Sequence, residues 1–301
     1  MVRILIFSIL VSLLSGCFLK QNPPGPMDGP LTPTYQGIVA IDDRGGWDTP
    51  QGAFLAAFWK KQTPATKPSR ALRLMAYSQK QARQEPECEY KTQVVSEKTE
   101  TALEVAQSSP FRSDYISVGT LSFGPALQSS FDSVTPDEAN AYSKKIRPGL
   151  PAGLFQITAS GSTSVKKFGD YLSLPEGIVE ASANGVPMSE GLPFLAKSQL
   201  RVQWRRPAIE NDANFVLIDF VAKSGTTIHK ISCSAEEGDL VAQEAFAHWT
   251  LPQEMVDQFP VTSAAALYVT RAHVRNAANS EVAIQFQGYR TMATPVVILT
   301  P

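Results

Sequence analysis

Asn214-Phe215-Val216-Leu217-Ile218-Asp219-Phe220-Val221-Ala222 and Thr227-Ile228-His229-Lys230-Ile231-Ser232-Cys233 are joined through Lys223-Ser224-Gly225-Thr226. Two runs rich in β-branched and aromatic residues around a short turn with Gly read as a β-hairpin. Working outward, Leu200 to Trp204 alternates, with Leu200, Val202 and Trp204 on one face. Ile178 to Ala183 reads as a strand, and Pro252 to Phe259 as a short helix with Pro in its first turn. Three further strands are expected at Ala265 to Val274, Glu281 to Tyr289 and Pro295 to Leu299. Towards the N-terminus, strands are expected at Ala53 to Trp59, Arg70 to Tyr77, Ile116 to Phe123 and Gly153 to Ser160. Thr135 followed by Pro136 to Tyr142 reads as one or two helical turns, with Thr135 as N-cap and Glu138 as its partner. Leu174-Pro175-Glu176-Gly177 reads as a boundary. Short strands punctuated by Gly and Pro, with no long amphipathic helix, predict an all-β chain of two β-sandwich domains, 37–175 and 176–301.

The first 36 residues differ in kind. Arg3 precedes an eleven-residue apolar run, Ile4 to Leu14, and Ser15-Gly16-Cys17 follows. A charged start, a short apolar core and small residues before a cut site make a secretory signal. The run is too short for a membrane span, which needs about 20 apolar residues. The string Leu14-Ser15-Gly16-Cys17 resembles the lipobox of bacterial lipoproteins. That resemblance implies cleavage of residues 1–16, lipid on the Cys17 sulfur and attachment to a membrane of the cell envelope. Phe18 stands where an Asp would signal inner-membrane retention in enterobacteria, so the outer membrane is favoured. Residues 17–36 carry five prolines and two glycines, a composition that favours an extended tether. At about 3.1 Å per residue it spans up to roughly 50 Å.

The chain has 301 residues, 43% hydrophobic, with 27 basic and 28 acidic side chains. A net charge of −1 supplies no field for nucleic acid, which is not an expected partner. Beyond Cys17 there are only Cys88 and Cys233. An oxidising compartment permits a bridge joining the two domains. Two separate thiols are the other reading, with Cys233 buried beside Ile231.

Leu200-Arg201-Val202-Gln203-Trp204-Arg205-Arg206-Pro207 resembles the Trp-bearing strand of fibronectin type III and other immunoglobulin-like domains. Leu267-Tyr268-Val269-Thr270-Arg271 is similar to their Tyr-bearing strand. A wider resemblance covers residues 50 to 300. It rests on Phe54 to Trp59, Cys88, Gly119-Thr120-Leu121-Ser122-Phe123-Gly124, Leu154-Phe155 to Ser160-Gly161, Trp204, Cys233 to Asp239, and Pro252 to Arg271. In that order these look like uncharacterised lipoproteins of predatory and gliding Gram-negative bacteria. The resemblance implies fold and address and supplies no catalytic residue.

Chemical motifs are few. His229, His248 and His273 match no zinc spacing, and His229 shares the apolar side of its strand with Ile231 and Cys233. There is no Gly-x-Ser-x-Gly elbow and no phosphate loop. Asp42, Asp43 and Asp48, and likewise Glu236, Glu237 and Asp239, surround glycines without EF-hand spacing and read as polar turns. No metal or cofactor is expected. Glu85, Glu87 and Glu89 alternate, as on a charged strand edge. Trp47, Trp59 and Trp249 are candidates to face a ligand, since a ring stacks on the apolar face of a sugar; core filling is the competing role. The expectation is a lipid-anchored, non-enzymatic binding or structural module of the cell envelope. Its expected partners are the membrane, through lipid on Cys17, and an envelope protein or glycan. The alternatives are a carbohydrate-binding or adhesion protein, and an enzyme with a site assembled from distant residues such as His248 and Asp239.

Overall fold

Gly225 adopts φ 57° between Ser224 and Thr227, which face each other across a two-residue turn. Positive φ at the first turn position suits the twist of a tight hairpin, and glycine adopts it without a Cβ clash. In the computed structural model this hairpin lies inside a much larger sheet. The described residues are 33–46, 51–60, 87–94, 115–128, 130–207, 214–236, 242–243, 245–278 and 281–300. They form β1 (Tyr35–Gly46), β2 (Gln51–Lys60), β3 (Glu87–Val94), β4 (Leu121–Pro125), β5 (Asp132–Val134), β6 (Tyr142–Ile146), β7 (Gly153–Ala159), β8 (Phe168–Leu174) and β9 (Ser182–Ala183). These are followed by β10 (Val186–Pro187), β11 (Leu192–Leu195), β12 (Arg201–Arg205), β13 (Asn214–Ser224), β14 (Thr227–Glu236), β15 (Ala242–Gln243) and β16 (Phe246–Thr250). A short helix α1 (Gln253–Val256) precedes β17 (Thr262–Ala278) and β18 (Val282–Leu299). Apart from α1 the described residues are nearly all β, as the alternation predicts.

Nine strands form one sheet in the order β3-β14-β13-β17-β18-β1-β2-β6, with β11 also paired to β18. Five strands form a second sheet, β10-β9-β12-β16-β15, and four form a third, β5-β4-β7-β8. The expected boundary at 175/176 does not divide the strands. β1 runs parallel to β18 over its whole length, from Tyr35↔Val282 to Gly46↔Ala293. Residues 33–301 are accordingly one compact unit, and the expected tether ends inside β1, which already includes Tyr35 and Gln36.

The two halves nonetheless keep separate cores. One gathers Phe54, Phe58, Leu121, Phe123, Phe155, Ile157 and Leu172 with Val282, Ile284 and Phe286. The other gathers Val202, Trp204, Val216, Ile218, Phe220, Leu267 and Val269 with Val296 and Ile298. All the β18 members are even-numbered, so both cores lie on one face of the nine-stranded sheet. The four-stranded sheet covers the first core and the five-stranded sheet the second, while β17 and β18 run through both.

Several local expectations change. Pro136 to Tyr142 is no helix. The Asp137 side chain accepts the backbone N–H groups of Ala139 (2.8 Å) and Ala141 (2.9 Å), and Tyr142 starts β6. An Asp that bonds its own backbone competes with helix formation. Tertiary packing decides the matter: Tyr142 is buried, and its hydroxyl accepts from Val118 N–H and donates to Gly119 O, both at 2.8 Å. Those bonds hold 118–119 in an irregular path, so the strand expected from Ile116 starts only at Leu121. The strand expected from Ile178 shortens to Ser182–Ala183. Pro295 does not open a new strand but sits within β18. It occupies the gap between Ala293, the last residue paired to β1, and Val296, which is paired to β11. A residue without an N–H is best tolerated where a ladder is interrupted. The strand expected at Arg70 to Tyr77 lies outside the described residues.

At Gly288 β18 and β8 come close together. A Cβ there would lie 2.2 Å from Ser173 O and 3.1 Å from Leu174 Cα. Gly288→Ala must therefore push β8 away from β18. The expected cost is about 1–3 kcal/mol, the usual range for overpacking, read as a lower denaturant midpoint at unchanged slope.

Candidate functional site

Cys17, Trp47, Asp48, Glu85, Glu237 and Asp239 lie outside the described residues. Trp249 is a core residue: it shares the inward face of β16 with Ala247, stands opposite Val202 and is 8% exposed in the second core. Trp59 is half-buried near the end of β2, bridged to Tyr115. The two tryptophans belong to different sheets and share no surface.

The histidines also stay apart, on β14, β16 and β17. His229 Nδ1 lies 2.7 Å from the Tyr90 hydroxyl, beside the Phe259 ring. His248 stands opposite Gln203, and its pKa is lowered by partial desolvation and then by Arg201. His273 is buried, and burial followed by the Arg275 charge lowers its pKa. Among the described residues no group of His, Cys, Asp and Glu is placed to hold a metal ion.

Cys88 and Cys233 face each other in register on β3 and β14 and form a disulfide with an S–S distance of 2.03 Å. The bridge staples neighbouring strands of one sheet, so it does not join two domains as the sequence suggested. It holds β3, the end strand of that sheet, on which Glu89 and Lys91 are exposed and paired at 2.6 Å.

The chief concentration of buried charge lies between the two cores, where β17 and β18 cross from one to the other. Arg271 is 1% exposed. Its Nη1 donates to Glu176 O (3.1 Å) and Gly177 O (2.9 Å), and its Nη2 to Arg205 O (3.2 Å). Arg290 is its direct partner in register. Arg290 in turn pairs with Asp43 at 3.0 Å and donates to Leu150 O. The Asp43 carboxylate accepts from Gly149 N–H (3.0 Å) and Leu150 N–H (3.1 Å). Burial pulls the Arg290 pKa down, and Asp43 opposes that shift. Further along the same face, Arg275 pairs with Asp170 at 2.5 Å and lies 5.1 Å from the Phe286 ring centre.

These charges fasten main chain. Arg271 pins the crossover at 176–177, which carries the chain from the third sheet to the second. Asp43 and Arg290 pin the loop at 149–150 that leads into β7. Buried charges are retained where they are paired and hydrogen-bonded, and Asp43, Arg271 and Arg290 bond to backbone groups, with the buried Arg290 Nε left without a partner. A second polar chain runs along the opposite face of the sheet. Gln285 donates to Asn276 (3.1 Å), Gln287 to Gln285 (2.5 Å) and the Tyr289 hydroxyl to Gln287 (2.8 Å). Burial, then the Asp42 charge, pushes the Tyr289 pKa far up, which keeps its hydroxyl a proton donor. Neither grouping sets a nucleophile beside a base and an orienting partner, the arrangement of covalent catalysis. No protein-family model matches the chain, and no curated protein matches it.

Proposed function

We propose that this chain is a lipid-anchored protein of the bacterial cell envelope, serving as a non-enzymatic binding or structural module. The observation that carries the proposal is Leu14-Ser15-Gly16-Cys17 directly behind an apolar run. The resemblance to uncharacterised lipoproteins of predatory and gliding bacteria supports the same address, and Phe18 favours the outer membrane. The proline-rich composition after Cys17 fits a tether behind such an anchor. The folded part supports the module reading because Asp43, Arg271 and Arg290 are engaged in fastening loops. The proposed partners are the membrane, through lipid on Cys17, and an envelope protein or glycan. The finer fold reading, an immunoglobulin-like sandwich within 176–301, rests on buried Trp204 at the middle of the five-stranded sheet. Among the described residues no helix is long and apolar enough to cross a membrane.

The anchor is tested by expression in a Gram-negative host fed labelled palmitate. The wild-type chain is expected to take up label and fractionate with membranes. Cys17→Ala is expected to lose the label completely and leave the membrane fraction. Label on the Cys17→Ala chain overturns the anchor. Two or more acyl chains hold a protein firmly where one holds it marginally, so salt washing should not release the wild type.

A further inference from the structure

Two aromatic rings stand exposed on the outer face of the four-stranded sheet. In β7, Phe155, Ile157 and Ala159 turn into the core, so Leu154, Gln156 and Thr158 turn outward. In β8 the same alternation buries Leu172 and Leu174 and turns Tyr171 and Ser173 outward. The register sets Gln156 between Gly124 of β4 and Tyr171 of β8. Phe131 lies across Gly124, its ring carbon 3.1 Å from where a Cβ would stand. The row Phe131, Gly124, Gln156, Tyr171 thus crosses all four strand positions of this sheet, with a ring at each end. Strands are spaced about 4.8 Å apart, which sets the two ends roughly 14 Å from each other. Tyr171 is 45% exposed, Phe131 40% and Leu154 57%.

Three further features bear on what such a row could hold. The outward side chains around it on these strands include Ser122, Ser133, Thr158 and Ser173, and none is charged. The Tyr171 backbone is held: its N–H donates to Asp170 Oδ1 (2.7 Å), and its carbonyl accepts from Arg275. Gly124, having no side chain, leaves room for Phe131 beside it. A membrane-binding face needs continuous apolar area with a basic rim. This face instead alternates rings with hydroxyls and an amide.

We propose that this face binds a neutral polysaccharide. The rings stack on the apolar faces of two sugars along an extended chain, and Gln156 between them bonds to sugar hydroxyls. A rigid aromatic surface with a few fixed polar groups provides orientation at small entropic cost. The inference rests on the reading of the chain as a non-catalytic binding module and gives that module a ligand class.

The test uses the full chain, labelled with palmitate as above and run in native gels with hydroxyethylcellulose or glycol chitin. Retardation by at least one of them is expected. Phe131→Ala and Tyr171→Ala should each weaken apparent affinity about tenfold, the size of one lost stacking contact. Tyr171→Phe keeps the ring and should retain binding. Both side chains are exposed, and unchanged tryptophan emission confirms that each variant is folded. Absence of retardation in both gels overturns the proposal, as does unchanged retardation of the Phe131→Ala/Tyr171→Ala double variant. Sedimentation of the Cys17→Ala chain with phosphatidylglycerol vesicles, lost in that double variant, would assign the face to lipid and also overturn it. A chain that is labelled but not retarded defeats the glycan inference alone, and one retarded but unlabelled defeats the anchor alone.

Discussion

Arg271→Met is expected to lower the unfolding free energy by about 3 kcal/mol. The guanidinium bonds three carbonyl oxygens, those of Glu176, Gly177 and Arg205. Each buried carbonyl left without a donor costs about 1–3 kcal/mol. Against that stands the desolvation cost of burying the cation, which methionine does not incur and which recovers several kcal/mol. The carbonyls win because there are three of them and the substituent has no proton to offer. The local consequence separates this mechanism from a general loss of packing. Freed of Arg271, the crossover at 175–177 should open ahead of the rest, so a glutamate-specific protease should cut after Glu176 faster than in wild type. A control is Val269→Ala, two residues earlier on the same face of β17. It makes a cavity in the core without touching the crossover, and should destabilise without accelerating that cut. Equal cleavage in the two variants would mean that Arg271 is not what holds the crossover.

Arg271 also shows where sequence stops being informative. Alternation with Leu267 and Val269 turns Arg271 to the core face, but nothing local points to the carbonyls of Glu176, Gly177 and Arg205 that receive it. The length of β17 is set by pairing with β18, and β18 continues past Pro295 through a change of neighbour from β1 to β11. None of this is local, so the reading broke one eighteen-residue strand in two. The hairpin at 214–233 was legible because its alternation and Gly225 are contained in twenty residues. The β1 strand was not, although β2 pairs with it directly: Asp42 and Asp43 beside Gly45-Gly46 read as a polar turn, but both lie within β1, where Asp43 is buried opposite Arg290 at the other end of the chain. Local signals at Pro136 to Tyr142 were real, but the Tyr142 hydroxyl is needed next to Val118. The exposed rings were missed for a different reason. Attention to tryptophan pointed to Trp249, which is large enough to be spent on the core. Alternation in Phe168-Gly169-Asp170-Tyr171-Leu172-Ser173-Leu174 would have turned Tyr171 outward opposite Leu172.

Trp204→Ala is expected to cost about 3–5 kcal/mol, the range for removing a fully buried aromatic ring. The ring is 0% exposed and leads the fully buried side chains in size. What makes the upper half of the range the expectation is its surroundings. Trp204 stands opposite Ala247 in register, and the same core contains Ala181, Ala183, Ala196, Ala222 and Ala235. Alanine has no rotamer that can swing into a void, so the residue directly opposite the indole, Ala247, cannot fill the space it leaves. The cost of a cavity grows with the volume that remains after relaxation. Trp204→Phe should therefore cost distinctly less, and adding Ala247→Leu to Trp204→Ala should recover part of the loss. That recovery would fail if the indole were replaceable by a shift of β12. Denaturant unfolding followed by both far-ultraviolet circular dichroism and the emission of the remaining tryptophans reads the outcome. The two probes should also coincide: β17 and β18 pass through both cores, so a void in one destabilises the sheet that supports the other, and the chain should unfold in a single transition.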